Sequence, residues 1–262
     1  VNITAGGGDD TFNIFDTLDN TFDGGDGIDT ANYAPTTFDM TVSLDGSGSY
    51  TITGTGVGTD VLLNIENINT GSGNDTITVQ DVSDNTIDGG GNTGGGNDVL
   101  TNVMEDGYSG LITIIRSPAN IVTVSGPGFG TDIFTDIEQV NVTSVSGSDI
   151  FRPNDDQDNV FDAAGGTDWI DYSTVTGVNM VVDLSSTIGT ATGDGNDSLI
   201  GFENISGSVG NDTLTGSDDA NIINGNDGID TINGGAGTDT IDGGDGDDTI
   251  SGGADDDDID GG

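Results

Sequence analysis

Cysteine, histidine and lysine are all absent from the 262 residues, and the basic complement is two arginines, Arg116 and Arg152. Without cysteine there is no disulfide and no thiolate metal site. Without histidine there is no imidazole base, no Ser-His-Asp triad and no zinc ligand set that needs an imidazole. Two arginines cannot build a phosphate-binding surface, which excludes nucleic acid as a partner and disfavours an anionic membrane surface. No apolar run approaches transmembrane length, so no membrane insertion is expected; LITII at 111–115 suits a buried strand. The opening residues, VNITAGGGDD, do not read as a signal peptide.

Against the two arginines stand 47 acidic residues, a formal charge of -45. Low hydrophobicity with that much charge ordinarily reads as disorder, because self-repulsion and chain entropy outweigh a thin core. The periodicity argues the other way, provided that cations are part of the structure.

The period is nine residues and is strict near the C-terminus, where Gly207, Gly216, Gly225, Gly234, Gly243 and Gly252 each open a unit. The sixth position reads Asp212, Asn221, Asp230, Asp239, Asp248 and Asp257, and the eighth Leu214, Ile223, Ile232, Ile241, Ile250 and Ile259. Register of this kind decides the fold ahead of propensity. A longer period runs before it. DVLLNIEN (60–67) recurs as DIFTDIEQ (132–139) and DSLIGFEN (197–204), each followed by a diluted nonapeptide such as GSGNDTI at 71–77. The expected organisation is three long units, 1–67, 68–139 and 140–204, and a regular array over 205–262. Insertions such as 38–56 and 177–193 read as extra alternating strands.

Within one nonapeptide, Gly234, Gly235 and Gly237 suit a tight turn with positive φ and close backbone approach. Thr240-Ile241-Asp242 is then a short strand with only its middle side chain pointing inward. One apolar residue per strand makes no sheet alone, but coils stacked about 4.8 Å apart align these residues into an apolar column. The fold expected is therefore all-β, a parallel β-roll or β-helix solenoid with inserted strands in the longer N-terminal units. With two nonapeptides per coil, Asp212, Asp230 and Asp248 share one edge, and Asn221, Asp239 and Asp257 the other. Carboxylates at that spacing repel by about 1 kcal/mol in water and by several at lower dielectric. A hard divalent cation between turns reverses the sign, and flexible all-oxygen turns favour calcium over magnesium, which demands a stricter octahedron.

GGAGTDTID (234–242) and GGDGDDTIS (243–251) resemble the haemolysin-type, or RTX, calcium-binding repeats of consensus G-G-x-G-x-D-x-U-x. The resemblance implies a right-handed parallel β-roll, calcium as cofactor, type I secretion to the cell surface or medium, and folding triggered by extracellular calcium. It implies side-chain ligation by Asp212, Asp230, Asp239, Asp248 and Asp257, with carbonyls of turn residues such as Gly225, Gly234, Gly243 and Gly252. Asp227 and Asp245 are further candidates in the regular turns, and Asp10, Asp26, Asp29, Asp75, Asp98 and Asp197 in the looser ones. The pattern departs from consensus at Asn221, at Asp219 and Asp255 in the fourth position, and at the irregular turns of Asp149 and Asp168.

Paired carboxylates occur throughout, but uniform repetition argues against catalysis, which needs an asymmetric site with separated pKa values. Phe12, Phe22, Phe151, Phe161 and Trp169 sit at strand positions and read as core rather than as a sugar-binding platform. A threonine row at Thr213, Thr231 and Thr249 suggests an ice-binding face, but its flanking partners degrade after one coil. The abundant threonine permits O-glycans. VNIT (1–4) aligns with VNVT (140–143), so the array begins inside a unit, as expected of a longer repeat array or of self-association through open ends. The favoured function is a secreted, calcium-dependent structural protein of a fibre, adhesin or matrix filament, with no enzymatic activity. The rival is the calcium-binding secretion and folding domain of an exported toxin or enzyme whose catalytic part lies elsewhere.

Overall fold

One nonapeptide gives one short strand, and two give a coil. In the computed structural model, which describes residues 1–34, 36–44, 49–79, 86–89, 98–103, 111–116, 121–126, 130–135, 139–143, 147–154 and 156–262, Thr231 lies opposite Thr213 and Thr249 in parallel pairing. Ile241 lies likewise between Ile223 and Ile259 in a second sheet. The coil is thus 18 residues, and the nine-residue period places alternate repeats in alternate sheets. Side chains alternate along each strand: Thr231 and Asn233 face solvent while Ile232 is buried. Each fully buried isoleucine is worth about 1.5–3 kcal/mol, so Ile223 and Ile241 in one sheet and Ile232 in the other are what the short strands contribute to the core.

Among the described residues every regular element is a strand. The chain divides into two compact units, residues 1–105 with 116–141, and residues 106–115 with 142–262. In the first unit the starting coil is 19 residues, pairing Asn2 with Thr21 and Thr11 with Thr30. The insertion over 38–56 then forms a three-stranded antiparallel meander, Met40–Leu44, Ser49–Gly54 and Gly58–Leu63. Its order is reversed relative to the climb of the coils. The last strand returns beside Thr21–Asp23, and the first pairs onward with Thr76–Val79. In this unit Ile121–Gly126 also pairs antiparallel with Gly130–Thr135.

The second unit repeats the device. Val181–Asp183, Gly189–Gly193 and Gly195–Ile200 form a meander; its last strand lies beside Val160–Asp162 and its first beside Thr213–Thr215. The meander coils have apolar cores: Met40, Val42, Leu44, Tyr50, Ile52 and Leu62 in one unit, and Met180, Val182, Ala191 and Leu199 in the other, are all buried.

The aromatic residues fall as strand alternation dictates. Phe12 and Phe22 stack 5.2 Å apart in the first unit, and Phe151 contacts Phe161 and Phe202 at 5.9 and 5.1 Å in the second. Trp169 differs from the core position expected: it is the first residue of Trp169–Asp171 and half-buried, because Ile170 takes the inward position.

Candidate metal centre

The residue just before each strand carries the site. Its backbone N–H points along the stacking direction, and a carboxylate from the next coil accepts it. In the regular array Asp212 N donates to Asp230 Oδ1 at 2.7 Å, and Asp230 N to Asp248 Oδ1 at 2.8 Å. On the other edge Asn221 N donates to Asp239 Oδ1 at 2.9 Å, and Asp239 N to Asp257 Oδ1 at 3.1 Å. The same ladder appears in the looser turns: Asp10 N to Asp29 Oδ1, Met40 N to Asp75 Oδ1, Asp75 N to Asp98 Oδ1 and Asp149 N to Asp168 Oδ1, all at 2.7–2.8 Å. One oxygen of each aspartate is therefore structural, closing a backbone donor that coiling leaves outside the sheet.

The other oxygen is different. Oδ2 of Asp29, Asp75, Asp168, Asp230, Asp239 and Asp248 is buried with no hydrogen-bond partner. A buried acceptor left unmade costs about 1–3 kcal/mol, and more when it carries charge. Burial raises the carboxyl pKa of Asp75, Asp212, Asp230 and Asp239. Around Asp230 the neighbouring Asp212 and Asp248 add to the effect. Asp168 is pushed up to about 6, by burial first and then by the negative charge of Glu203 and Asp149. These oxygens call for a cation, and protein cations are scarce: Arg152 is already paired with Asp171.

Glycine brings a second oxygen beside each carboxylate. A Cβ on Gly207 would sit 2.5 Å from Asp212 Oδ2 and 2.9 Å from the Gly225 carbonyl, and one on Gly243 would meet Asp248 Oδ2 at 2.6 Å and the Gly261 carbonyl at 3.1 Å. Gly225, Gly234 and Gly252 are crowded in the same way by Asp230, Asp239 and Asp257 Oδ2 respectively; beside Gly225 and Gly234 a carbonyl of the next coil, Gly243 or Gly252, also closes in. Any larger residue would push these oxygens apart. Among the described residues no three acidic side chains converge on one point, so carboxylates alone make no cage and backbone carbonyls must complete one. Hard oxygen donors drawn from flexible turns, with roughly six to eight needed, fit calcium.

The remaining candidates are placed less uniformly. Asp10 and Asp257 are half-buried, and the turn leading to the buried Asp98 lies outside the described residues. Asp26, Asp227 and Asp245 point their side chains to solvent; they act through the backbone, with Gly8 N donating to Asp26 O and Gly228 N to Asp245 O, 2.7 and 2.8 Å. Asp197 departs from the expected turn ligand. It lies within Gly195–Ile200, where its Oδ1 accepts Asn159 N and its Oδ2 the Tyr172 hydroxyl at 2.9 Å. Asp212 is also supplied, since Ser208 N donates to its Oδ2 at 2.6 Å.

Sequence reasoning missed the glutamates of the recurring IEN and FEN elements. Glu66 Oε2 accepts Asp29 N, and Glu203 Oε2 accepts Asp168 N, both at 2.8 Å. They hold the sixth-position place in coils whose turn is shorter, where the extra methylene spans the gap. The signal available was their fixed spacing ahead of the strands Asn67–Asn69 and Asn204–Ser206.

Residues 200–232 and 233–262 match the RTX calcium-binding nonapeptide repeat, in four copies, so the C-terminal segment carries repeats that bind calcium ions. No curated protein matches the chain.

Proposed function

We propose, from the calcium-binding RTX repeats of residues 200–262, that this chain is a secreted structural protein whose coils are tied together by calcium, as part of an extracellular fibre, adhesin or matrix filament. The observation that carries the reading is the row of buried, unpartnered carboxylate oxygens at Asp230, Asp239 and Asp248, repeated at Asp29, Asp75 and Asp168. Calcium bound there joins a carboxylate to backbone carbonyls of the next coil, so binding free energy is folding free energy. RTX repeats are structural rather than catalytic and typical of secreted proteins, and the role proposed for this chain is mechanical. The proposed ligand set is Asp29, Asp75, Asp168, Asp230, Asp239, Asp248 and Asp257 with the turn carbonyls, Asp197 being left out because its oxygens are already used.

With dissociation constants of extracellular modules, roughly 0.1–1 mM, the regular array stays unfolded at cytosolic calcium and folds outside the cell. Circular dichroism across a calcium titration tests this. The array should gain β-structure in millimolar calcium, and a C-terminal array fully ordered in excess EGTA sinks the reading. Light scattering and electron microscopy in high calcium against high sodium chloride test the filament. Growth in calcium alone supports it, because monovalent salt screens charge without bridging oxygens. A chain that stays monomeric in calcium refutes self-association.

A further inference from the structure

Not every rung asks for a cation. Asp60, within Gly58–Leu63, makes the same rung contact as the calcium-turn aspartates, with Oδ1 accepting Asn20 N at 2.9 Å, but its Oδ2 receives the Tyr33 hydroxyl at 3.0 Å. The second unit repeats this arrangement with Asp197, Asn159 and Tyr172, where the hydroxyl-to-carboxylate distance is 2.9 Å. The likeness extends to the backbone. Each tyrosine directly follows a strand, is fully buried, and opens a turn in which its carbonyl accepts an N–H, from Thr36 in one case and Val175 in the other. In each rung the residue beneath the aspartate is an asparagine, so no second carboxylate stacks against the first.

Two further turns of the second unit are closed by protein groups. Ser208 supplies both its N–H and its hydroxyl to Asp212. Asn221, standing where a repeat aspartate would, accepts Ser217 N at 2.7 Å and donates its amide to the Glu203 carbonyl at 2.7 Å. Serine is the second residue of these repeats where Gly235 and Gly244 stand later in the array, so the change that supplies the donor is visible in the chain itself. Both tyrosine rungs lie at the meanders of residues 40–63 and 181–200, whose antiparallel strands are joined by their own hydrogen bonds and carry buried apolar side chains.

We infer that in these rungs a hydroxyl or amide takes the part that a cation takes elsewhere, so that each of these two meander coils forms, within its own unit, a metal-independent frame onto which the calcium turns of that unit close. Tyr33 and Tyr172 are the positioning residues of the two frames. The inference rests on the calcium reading of the other turns, and it divides the chain into a part ordered before export conditions are met and a part ordered by them. A carboxylate capped by a phenol and a backbone N–H has both oxygens satisfied by donors that the chain always carries, whereas Asp230, Asp239 and Asp248 present an oxygen that no donor of the chain reaches.

Hydrogen exchange read by mass spectrometry on the whole chain, in excess EGTA and in millimolar calcium, tests this. In EGTA the amides of Gly58–Leu63 and Gly195–Ile200 should stay protected, while those of 225–262 exchange as in an unfolded chain and slow only with calcium. Tyr33→Phe should speed exchange of Gly58–Leu63 in EGTA by about tenfold, and Tyr172→Phe that of Gly195–Ile200, the loss expected for one hydrogen bond to a charged group. Both variants keep the ring, and both should retain calcium-induced protection of 225–262. Uniform rapid exchange along the wild-type chain in EGTA overturns the inference, as do phenylalanine variants that exchange like wild type. The two readings fail separately: the frame on the EGTA data alone, the calcium reading on an absent calcium response at 225–262.

Discussion

Replacing Asp239 by asparagine should blunt the response of its turn to calcium. Asp239 Oδ1 accepts Asn221 N at 2.9 Å, a bond that an asparagine oxygen can keep. Its Oδ2 is buried without a partner beside Gly234 and the Gly252 carbonyl, where an amide nitrogen becomes a donor facing an acceptor. Without calcium the substitution therefore removes an uncompensated charge and supplies a hydrogen bond, a gain of about 1–2 kcal/mol. With calcium it removes an anionic ligand. At about 1 mM free calcium and a dissociation constant near 0.1 mM, one lost site costs roughly 1.4 kcal/mol by mass action. The increase in exchange protection of Thr240–Asp242 from EGTA to calcium should thus be about tenfold smaller in the variant than in wild type. Asn221 is the chain's own precedent, an asparagine in the same place with its amide fully engaged. A variant destabilised equally in both conditions refutes the reasoning, because it makes Asp239 a purely structural residue.

Ile241→Ala should behave otherwise. It empties a fully buried position between Ile223 and Ile259, costs on the order of 2–5 kcal/mol, and should raise the calcium midpoint while the array still responds to saturating calcium; a response blunted as in Asp239→Asn would show that core and ligand roles were wrongly separated. The pH response follows from the raised carboxyl pKa values. For Asp168 the folded value of about 6 exceeds the unfolded 3.8, so the calcium-free fold binds the extra proton, is favoured below about pH 4, and loses that contribution as pH rises through 6. Acidifying the EGTA form from pH 7 to about 4.5 should therefore increase β-structure by circular dichroism, while calcium, competing with the same protons, should require a higher midpoint. A pH-independent spectrum in EGTA would refute the burial argument.

How much of this was legible in the sequence depends on whether a feature repeats. Gly225, Asp230 and Ile232 recur at fixed offsets, and a contact repeated every coil needs only the period to be located. The coil of two nonapeptides, the isoleucine column and the two aspartate edges follow from that alone, because stacking aligns equivalent positions. So does the donor chemistry, since a chain with 47 acids, two arginines and no cysteine or histidine offers a hard cation only oxygen.

Tertiary structure decided what happens where the period breaks. The pairing of Tyr33 with Asp60 and of Tyr172 with Asp197 spans 27 and 25 residues, and it exists because each meander folds back and returns its last strand beside an earlier coil. Insertion lengths fix such partners, and the nine-residue offset does not announce them. The division between the two oxygens of one aspartate is likewise invisible in a sequence letter. Asp60, Asp212 and Asp230 read alike, but a phenol closes the first, a serine the second, and the chain leaves the third open. Sequence determined that carboxylates would line both edges of the coils. Packing determined which of them the protein satisfies itself, because that depends on what donor the neighbouring coil brings within hydrogen-bond reach.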